Sequence, residues 1–285
     1  MSATPFNFAG LPEQFSRYER SKIVILPIPF DKTSTWVKGS DKGPRAIIEA
    51  SRHLELYDIE TGSEVYQHGI FTGKAVHASD SESMIRKVGD RVATCLDDGK
   101  FVVAIGGEHS VSLGVIRAYA RFVNNISVLH LDAHSDMRDT YDGDRYSHAC
   151  VMRRVKEVTG NIVSVGIRSM DSSELGLLDI KKIFYAQHIY ASDSWMKKVS
   201  DRLSDNVYIT IDLDVFDPGI MPSTGTPEPG GLNWYQVTKL LRAVSMRRNI
   251  VGFDVVELCP SENKAPDFLA AKLIYNLLSY KYSYR

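Results

Sequence analysis

One pattern constrains the fold of this 285-residue chain more than any other. Short β-branched and apolar runs alternate with segments whose apolar residues recur at helical spacing. KIVILPIPF (22–30), FVVAIGG (101–107), ISVLHLDAH (126–134), NIVSVGIRS (161–169), VYITIDLDVFD (207–217) and IVGFDVVELCP (250–260) read as strands, with KKIFYAQ (181–187) a weaker seventh. Most are continuous apolar runs, as expected for strands covered on both faces. Residues 43–58, 81–99, 110–123, 233–248 and 265–280 read as helices, Pro266 falling naturally in a first turn. A shorter helix is expected at 149–157. Strands separated by helices pair in parallel through right-handed crossovers. No repeat, low-complexity tract or linker breaks the alternation. The expectation is α/β: one three-layer α/β/α domain over 1–285 with a mostly parallel central sheet.

A sheet buried on both faces has little use for charge, yet acids and histidines gather where these strands end. FVVAI runs into Gly106-Gly107-Glu108-His109-Ser110, ISVLHL into Asp132, His134 and Asp136, VYITI into Asp212, Asp214 and Asp217, and IVGFDVV into Glu257. In open α/β sheets, ligands bind at the carboxyl ends of strands. If the chain stays extended there, Asp132, His134 and Asp136 share one side, and so do Asp212 and Asp214. Four carboxylates and two imidazoles in one crevice cannot all keep their charge states without cations. Six ligands, with carboxylates able to bridge, exceed what one tetrahedral zinc takes and suit two divalent ions. Oxygen-rich ligation without thiolate favours manganese over zinc. Such a pair of ions makes a hydrolytic centre.

Taken singly, these motifs have plainer readings. A DxD after a strand is often a turn with a helix cap, and His109 could open a helix with Ser110 as cap. Their joint occurrence at successive strand ends is what the plainer readings fail to explain. His130 shares parity with Asp132 but lies deeper, and reads as a core histidine or one supporting the ligands. His53, His68, His77 and His188 lack partners in sequence and read as surface or packing residues. GGEHS is no GxGxxG fingerprint, which disfavours a dinucleotide enzyme.

Composition excludes other classes. Lys and Arg number 34 against 35 Asp and Glu, a net charge of −1, and no basic run is present. Neither nucleic acid nor a membrane surface is an expected partner. No window approaches the ~20 apolar residues of a membrane span, and no leader pattern opens the chain. Three cysteines (Cys95, Cys150, Cys259) fit neither a disulfide framework nor a zinc ribbon. The expected location is the cytoplasm.

GGEHS (106–110), DAHSD (132–136) and IDLDVFDP with TGTPEPGG (211–231), in this order, resemble the ureohydrolase family of arginase and agmatinase. GPRAIIEAS (43–51) resembles that family's N-terminal helix, and the likeness runs from about residue 22 to 280. The resemblance implies an arginase-like fold, two Mn2+ ions per chain and hydrolysis of a guanidino group to urea and an amine. It makes His109 and Asp136 terminal ligands of one ion, His134 and Asp214 those of the other, with Asp132 and Asp212 bridging. It gives His148 a proton-shuttling role and Glu257 the substrate guanidinium. It also implies a homo-oligomer, trimer or hexamer. Glu108 stands where the commonest family form has Asp; it is not a ligand there, so little follows from the change. Cys150 and Cys259 flank His148 and Glu257 but read as packing.

The expected substrate is a small cationic guanidino compound. Agmatine comes first, an N-substituted agmatine such as an aminopropylated one second, and arginine third. The loop MRDTYDGDRYSH (137–148) lacks the Asn that arginases use for the substrate carboxylate and carries Asp139, Asp142 and Asp144 around Tyr141 and Tyr146. An acid facing the cleft would attract an ammonium and repel a carboxylate. A catalytically silent, metal-binding relative is the rival from another class. The full set of ligand-type residues plus His148 and Glu257 argues against it.

Overall fold

The computed structural model describes residues 4–190 and 194–284. Among these residues, eight strands form one all-parallel sheet: β1 Ile23–Ile28, β2 Ile70–Thr72, β3 Phe101–Gly106, β4 Ile126–Leu131, β5 Ile162–Ile167, β6 Ile183–Tyr185, β7 Asn206–Asp212 and β8 Asn249–Val256. Their order is β2-β1-β3-β8-β7-β4-β5-β6. All seven strands read from the sequence are present. β2 is the addition, a three-residue edge strand too short to leave a pattern.

The continuous apolar runs are explained by two cores. On one face, Ile25, Val103, Leu129, Ile209 and Phe253 pack under helices Gly43–Ser51, Trp234–Ser245 and Ala265–Ser283. On the other, Val24, Ala104, Val128 and Tyr208 meet helices Ser81–Asp97 and Ser112–Phe122. The arrangement is three-layered, α/β/α. Helix Ala265–Ser283 is buried almost all round, from Ala270 to Tyr280, which is why it lacks a polar stripe. Among the described residues, no helix is long and apolar enough to cross a membrane.

Helix ends follow local chemistry. The Asp80 side chain accepts from the Ser83 N–H at 2.8 Å, and Asn233 with Gln236 forms a reciprocal capping box. The first long helix stops at Ser51, well short of residue 58. The Ser51 hydroxyl donates to the Ile48 carbonyl (2.7 Å), and the chain beyond turns so that Leu56 accepts from the Tyr275 hydroxyl. The expected helix at 149–157 is confined to Val151–Val155, behind a 3-10 turn at His148–Cys150. Helix Ser194–Arg202 has no counterpart in the sequence reading.

The strand ends place the site. β3, β8, β7 and β4 are neighbours at the centre of the sheet, so their C-terminal residues open onto one crevice.

Candidate metal centre

Each ligand-type side chain is held by a device that the local sequence supplies. After β3 the chain passes close to the segment following β1: a Cβ on Gly107 would lie 2.1 Å from the Phe30 carbonyl oxygen, so only glycine fits. That turn delivers His109 to the crevice, buried, at the start of a 3-10 turn. Its Nε2 lies 2.9 Å from the Thr210 hydroxyl, whose own proton goes to Asp254 Oδ1 at 2.6 Å. Thr210 therefore accepts from His109, and the imidazole carries its proton on Nε2. Nδ1 is left facing Asp132 Oδ2 (3.0 Å), Asp136 Oδ2 (3.1 Å) and Asp212 Oδ2 (3.4 Å). It is buried and makes no hydrogen bond. An imidazole nitrogen and three carboxylate oxygens turned to one point could hold a cation.

Asp132 joins this group to a second. Its Oδ2 also receives His130 Nε2 at 2.8 Å, while Oδ1 accepts the His134 N–H at 2.6 Å and lies 3.7 Å from His134 Nδ1. His134 Nδ1 is 2.8 Å from Asp214 Oδ2, so Asp132, His134 and Asp214 form a further group able to hold an ion. All six residues named as ligands are brought together, with Asp132 shared between the two groups.

The parity argument holds only in part. β4 ends at Leu131, the chain bends at Ala133 before His134 bridges to Ser169, and Asp136 turns into the left-handed region at φ 51°. Asp214 lies in a 3-10 turn, not an extended strand, because Asp212 Oδ1 accepts the Asp214 N–H at 2.9 Å. Nor does Ser110 cap a helix: its hydroxyl donates to Glu108.

The electrostatics express the same crowding. Burial pushes the carboxyl of Asp212 well up, and Asp214 and Asp132 add to the effect. Burial also raises Glu257, helped by Glu108. On His109, burial acts downward but is outweighed by Asp132, Asp136 and Asp212, which raise it well above the ordinary histidine range. Protons are standing in for missing positive charge, and divalent cations would supply it.

Glu257 and His148 line the same cavity, of about 250 Å3. Glu257 sits at φ 68°, its Oε1 accepting the His109 N–H at 2.6 Å. His148 approaches Thr33 and Ser147 through Nδ1, at 3.2 Å each. Cys150 and Cys259 are buried, with thiols pushed up to about 12, chiefly by burial. His53, His77 and His188 are exposed, and His68 stacks on Tyr282.

The loop acids do not line this cavity. Asp139 pairs with Arg154 and Arg153, while Asp142 and Asp144 border an adjoining cavity that shares Tyr141. Asp144 also accepts from Ser81 and the Tyr146 N–H. The acids on the wall are instead Asp171 and Glu174, which follow β5 and pair with Arg138 at 3.3 and 3.6 Å. The sequence reading passed over them, although β5 ends at the same sheet edge. It also passed over Arg168, whose guanidinium donates to the carbonyls of Asp214, Phe216 and Glu228 and so fixes the loop carrying Asp214.

The model for the Arginase family matches residues 21–279. The chain belongs to the arginase family. An N(1)-aminopropylagmatine ureohydrolase of Synechocystis sp. is 38% identical, the match covering 97% of this chain and 96% of that one. An agmatinase of Halalkalibacterium halodurans is 31% identical over 92% and 93%. Among solved structures, the agmatine ureohydrolase of Thermoplasma volcanium superposes with TM-score 0.89 at 34% identity, covering 99% and 96%. This arginase-family chain is a ureohydrolase, a hydrolase of guanidino C–N bonds.

Proposed function

We propose that this enzyme hydrolyses an agmatine extended on its amine by an aminopropyl group, releasing urea and a triamine, with two Mn2+ ions per chain. The sequence reading put agmatine itself first. The observation that moves the preference is the 38% identity, over nearly both whole chains, to a relative named for the aminopropylated substrate. The cavity supports it. Beyond the metal groups, its wall carries Asp171 and Glu174, partly offset by Arg138, and it adjoins the cavity bordered by Asp142 and Asp144, where Lys32 and Lys38 offset part of the charge. Successive acids suit a chain with more than one ammonium. The agmatinase and agmatine ureohydrolase likenesses keep agmatine as the second reading.

In the reaction, water adds to the guanidinium carbon, the bond from that carbon to the alkylated nitrogen breaks, and the nitrogen leaves as an ammonium. His109, Asp132, Asp136, Asp212, His134 and Asp214 would hold the two ions. Bound there, they would lower the pKa of the attacking water and polarise the reacting centre. Glu257 offers its carboxylate to the planar guanidinium, which also relieves its own burial. His148 carries the proton that the departing nitrogen needs. We further infer a single domain, a cytoplasmic location and a homo-oligomer, trimer or hexamer; the family resemblance supports the last, and sedimentation of the purified protein tests it.

The test of substrate is urea release by the manganese-loaded protein from agmatine, its aminopropyl derivative and arginine. The extended amine should exceed agmatine in kcat/KM by about tenfold, with arginine lower again by a similar factor. A preference for agmatine would promote the second reading. Equal or better turnover of arginine would remove both.

A further inference from the structure

We propose that Glu108 and Thr33 are positioning residues for His148, fixing its tautomer so that Nε2 is the nitrogen left to exchange protons with the substrate. The inference rests on the reading that His148 carries the leaving-group proton. Glu108 is fully buried beside His109 and is not among the residues grouped around the metal sites. Its carboxylate is instead the hub of the loop following β1. Oε2 accepts from the backbone N–H groups of Lys32 (2.6 Å), Thr33 (2.6 Å) and Ser34 (3.3 Å). Oε1 accepts from the hydroxyls of Thr33 (2.7 Å) and Ser110 (2.5 Å).

The consequence for His148 comes from counting protons. A hydroxyl has one proton to give, and Thr33 gives it to Glu108. Toward His148, then, Thr33 Oγ1 can only accept. It takes the His148 backbone N–H at 2.9 Å and stands 3.2 Å from Nδ1. That contact favours the tautomer with hydrogen on Nδ1. Ser147, also 3.2 Å from Nδ1, can accept the same hydrogen. Nε2 is left with its lone pair, on a ring that lines the metal-lined cavity with the Tyr141 ring edge-on at 5.9 Å. Residues about 75 and 115 positions apart in the chain thus act as one unit. A carboxylate orienting a histidine through its far nitrogen is a general device; here a threonine hydroxyl stands between them.

Thr33 is the cleaner probe, because Glu108 adjoins a metal ligand in sequence. Thr33→Val keeps the side chain's shape and removes the hydroxyl, while Thr33→Ser keeps the hydroxyl. In manganese-loaded enzyme, His148→Asn should lower kcat about 10²–10⁴-fold, the usual contribution of a positioned proton carrier. Thr33→Val should lower kcat by about tenfold or more with metal content and KM little changed, and Thr33→Ser should restore most of it. Added to His148→Asn, Thr33→Val should cause no further loss, since its effect runs through the imidazole. Nitrogen-15 NMR of the metal-free protein should find His148 with hydrogen on Nδ1, and a mixed tautomer in Thr33→Val.

Glu108→Gln, which turns a donor toward the loop's N–H groups, should raise KM as well as lower kcat, because Ser34, Thr35 and Trp36 of that loop line the cavity. Full kcat in Thr33→Val beside an impaired His148→Asn would overturn the positioning inference alone. So would an equal loss in both backgrounds, the mark of a merely structural threonine. Full kcat in His148→Asn would overturn the proton-carrier reading and this inference with it.

Discussion

The Thr210 hydroxyl offers the sharpest test of how the centre is built, because it touches one metal group and not the other. It accepts from His109 Nε2 at 2.9 Å and donates to Asp254, in a position with no solvent access. Thr210→Val preserves shape and removes the acceptor. A buried Nε2–H without a partner costs about 1–3 kcal/mol, and the imidazole can escape that cost by moving its proton to Nδ1, the nitrogen that would bind metal. At 1.4 kcal/mol per factor of ten, this corresponds to a loss of about 5–150-fold in affinity for the ion on His109, matching the 10–100-fold typical of such outer hydrogen bonds. Thr210 bonds to His109, Ser112 and Asp254 rather than to the group of Asp132, His134 and Asp214, so the other ion should keep its affinity within about twofold. Competition against a fluorescent chelator, resolved into two binding steps, reads both affinities. The melting temperature in excess chelator shows whether the metal-free fold is intact. Two unchanged affinities, or two that fall by the same factor, would refute the argument.

Asp132→Asn or Asp212→Asn should lower metal content below two ions per chain and cut urea production with it; either variant with two ions and full activity would show the ligand assignment to be wrong. His130→Phe should weaken both ions by about tenfold, in contrast to Thr210→Val, because the Asp132 oxygen it supports belongs to the shared carboxylate; the same chelator titration reads it. Asp171→Asn should raise KM for the amine substrate about fivefold while moving kcat little, since a quarter of the roughly 4 kcal/mol of a close ion pair is about fivefold in binding. An unchanged KM would take Asp171 off the amine's path.

What the sequence made legible was whatever a strand repeats at a fixed period. The apolar runs marked seven of the eight strands among the described residues, and the polar residues ending them marked six His and Asp side chains that the fold brings together. Extended parity is a guide only as far as Asp132 and Asp212, at the strand edges. Beyond them, Asx-type contacts place His134 and Asp214, and a left-handed residue places Asp136. Long-range pairing was invisible. Nothing near Asp139 in the sequence announces that Arg154 will take it, so the loop acids were weighted too heavily and Asp171 and Glu174 not at all. Glu108 was set aside because it is no ligand, yet its partners at 32–34 make it a hub of the loop that lines the cavity.

One layer of the sheet explains why these ligands stand so firmly in a place hostile to charge. The strand register aligns Ser164 of β5 with His130 of β4, His130 with Thr210 of β7, Thr210 with Asp254 of β8, and Asp254 with Ala104 of β3. The first four form a polar row across the buried sheet, ending against Ala104 on the face of Val128, two positions below Asp132 and Asp212. Each would be costly alone. Together they satisfy one another: Ser164 with His130 at 3.1 Å, Thr210 with Asp254, and Asp254 with the Tyr208 hydroxyl at 2.6 Å. What the row sends upward is two imidazole contacts, His130 to Asp132 and Thr210 to His109. The pleat does the aiming: side chains two residues apart on a strand point the same way, so a hydrogen-bonded row at one level sets the orientation of the ligands at the next. The pairs HxD at 130–132 and TxD at 210–212 are the trace of that arrangement in the sequence, a polar residue two positions inside each ligand where an isolated buried strand would carry valine.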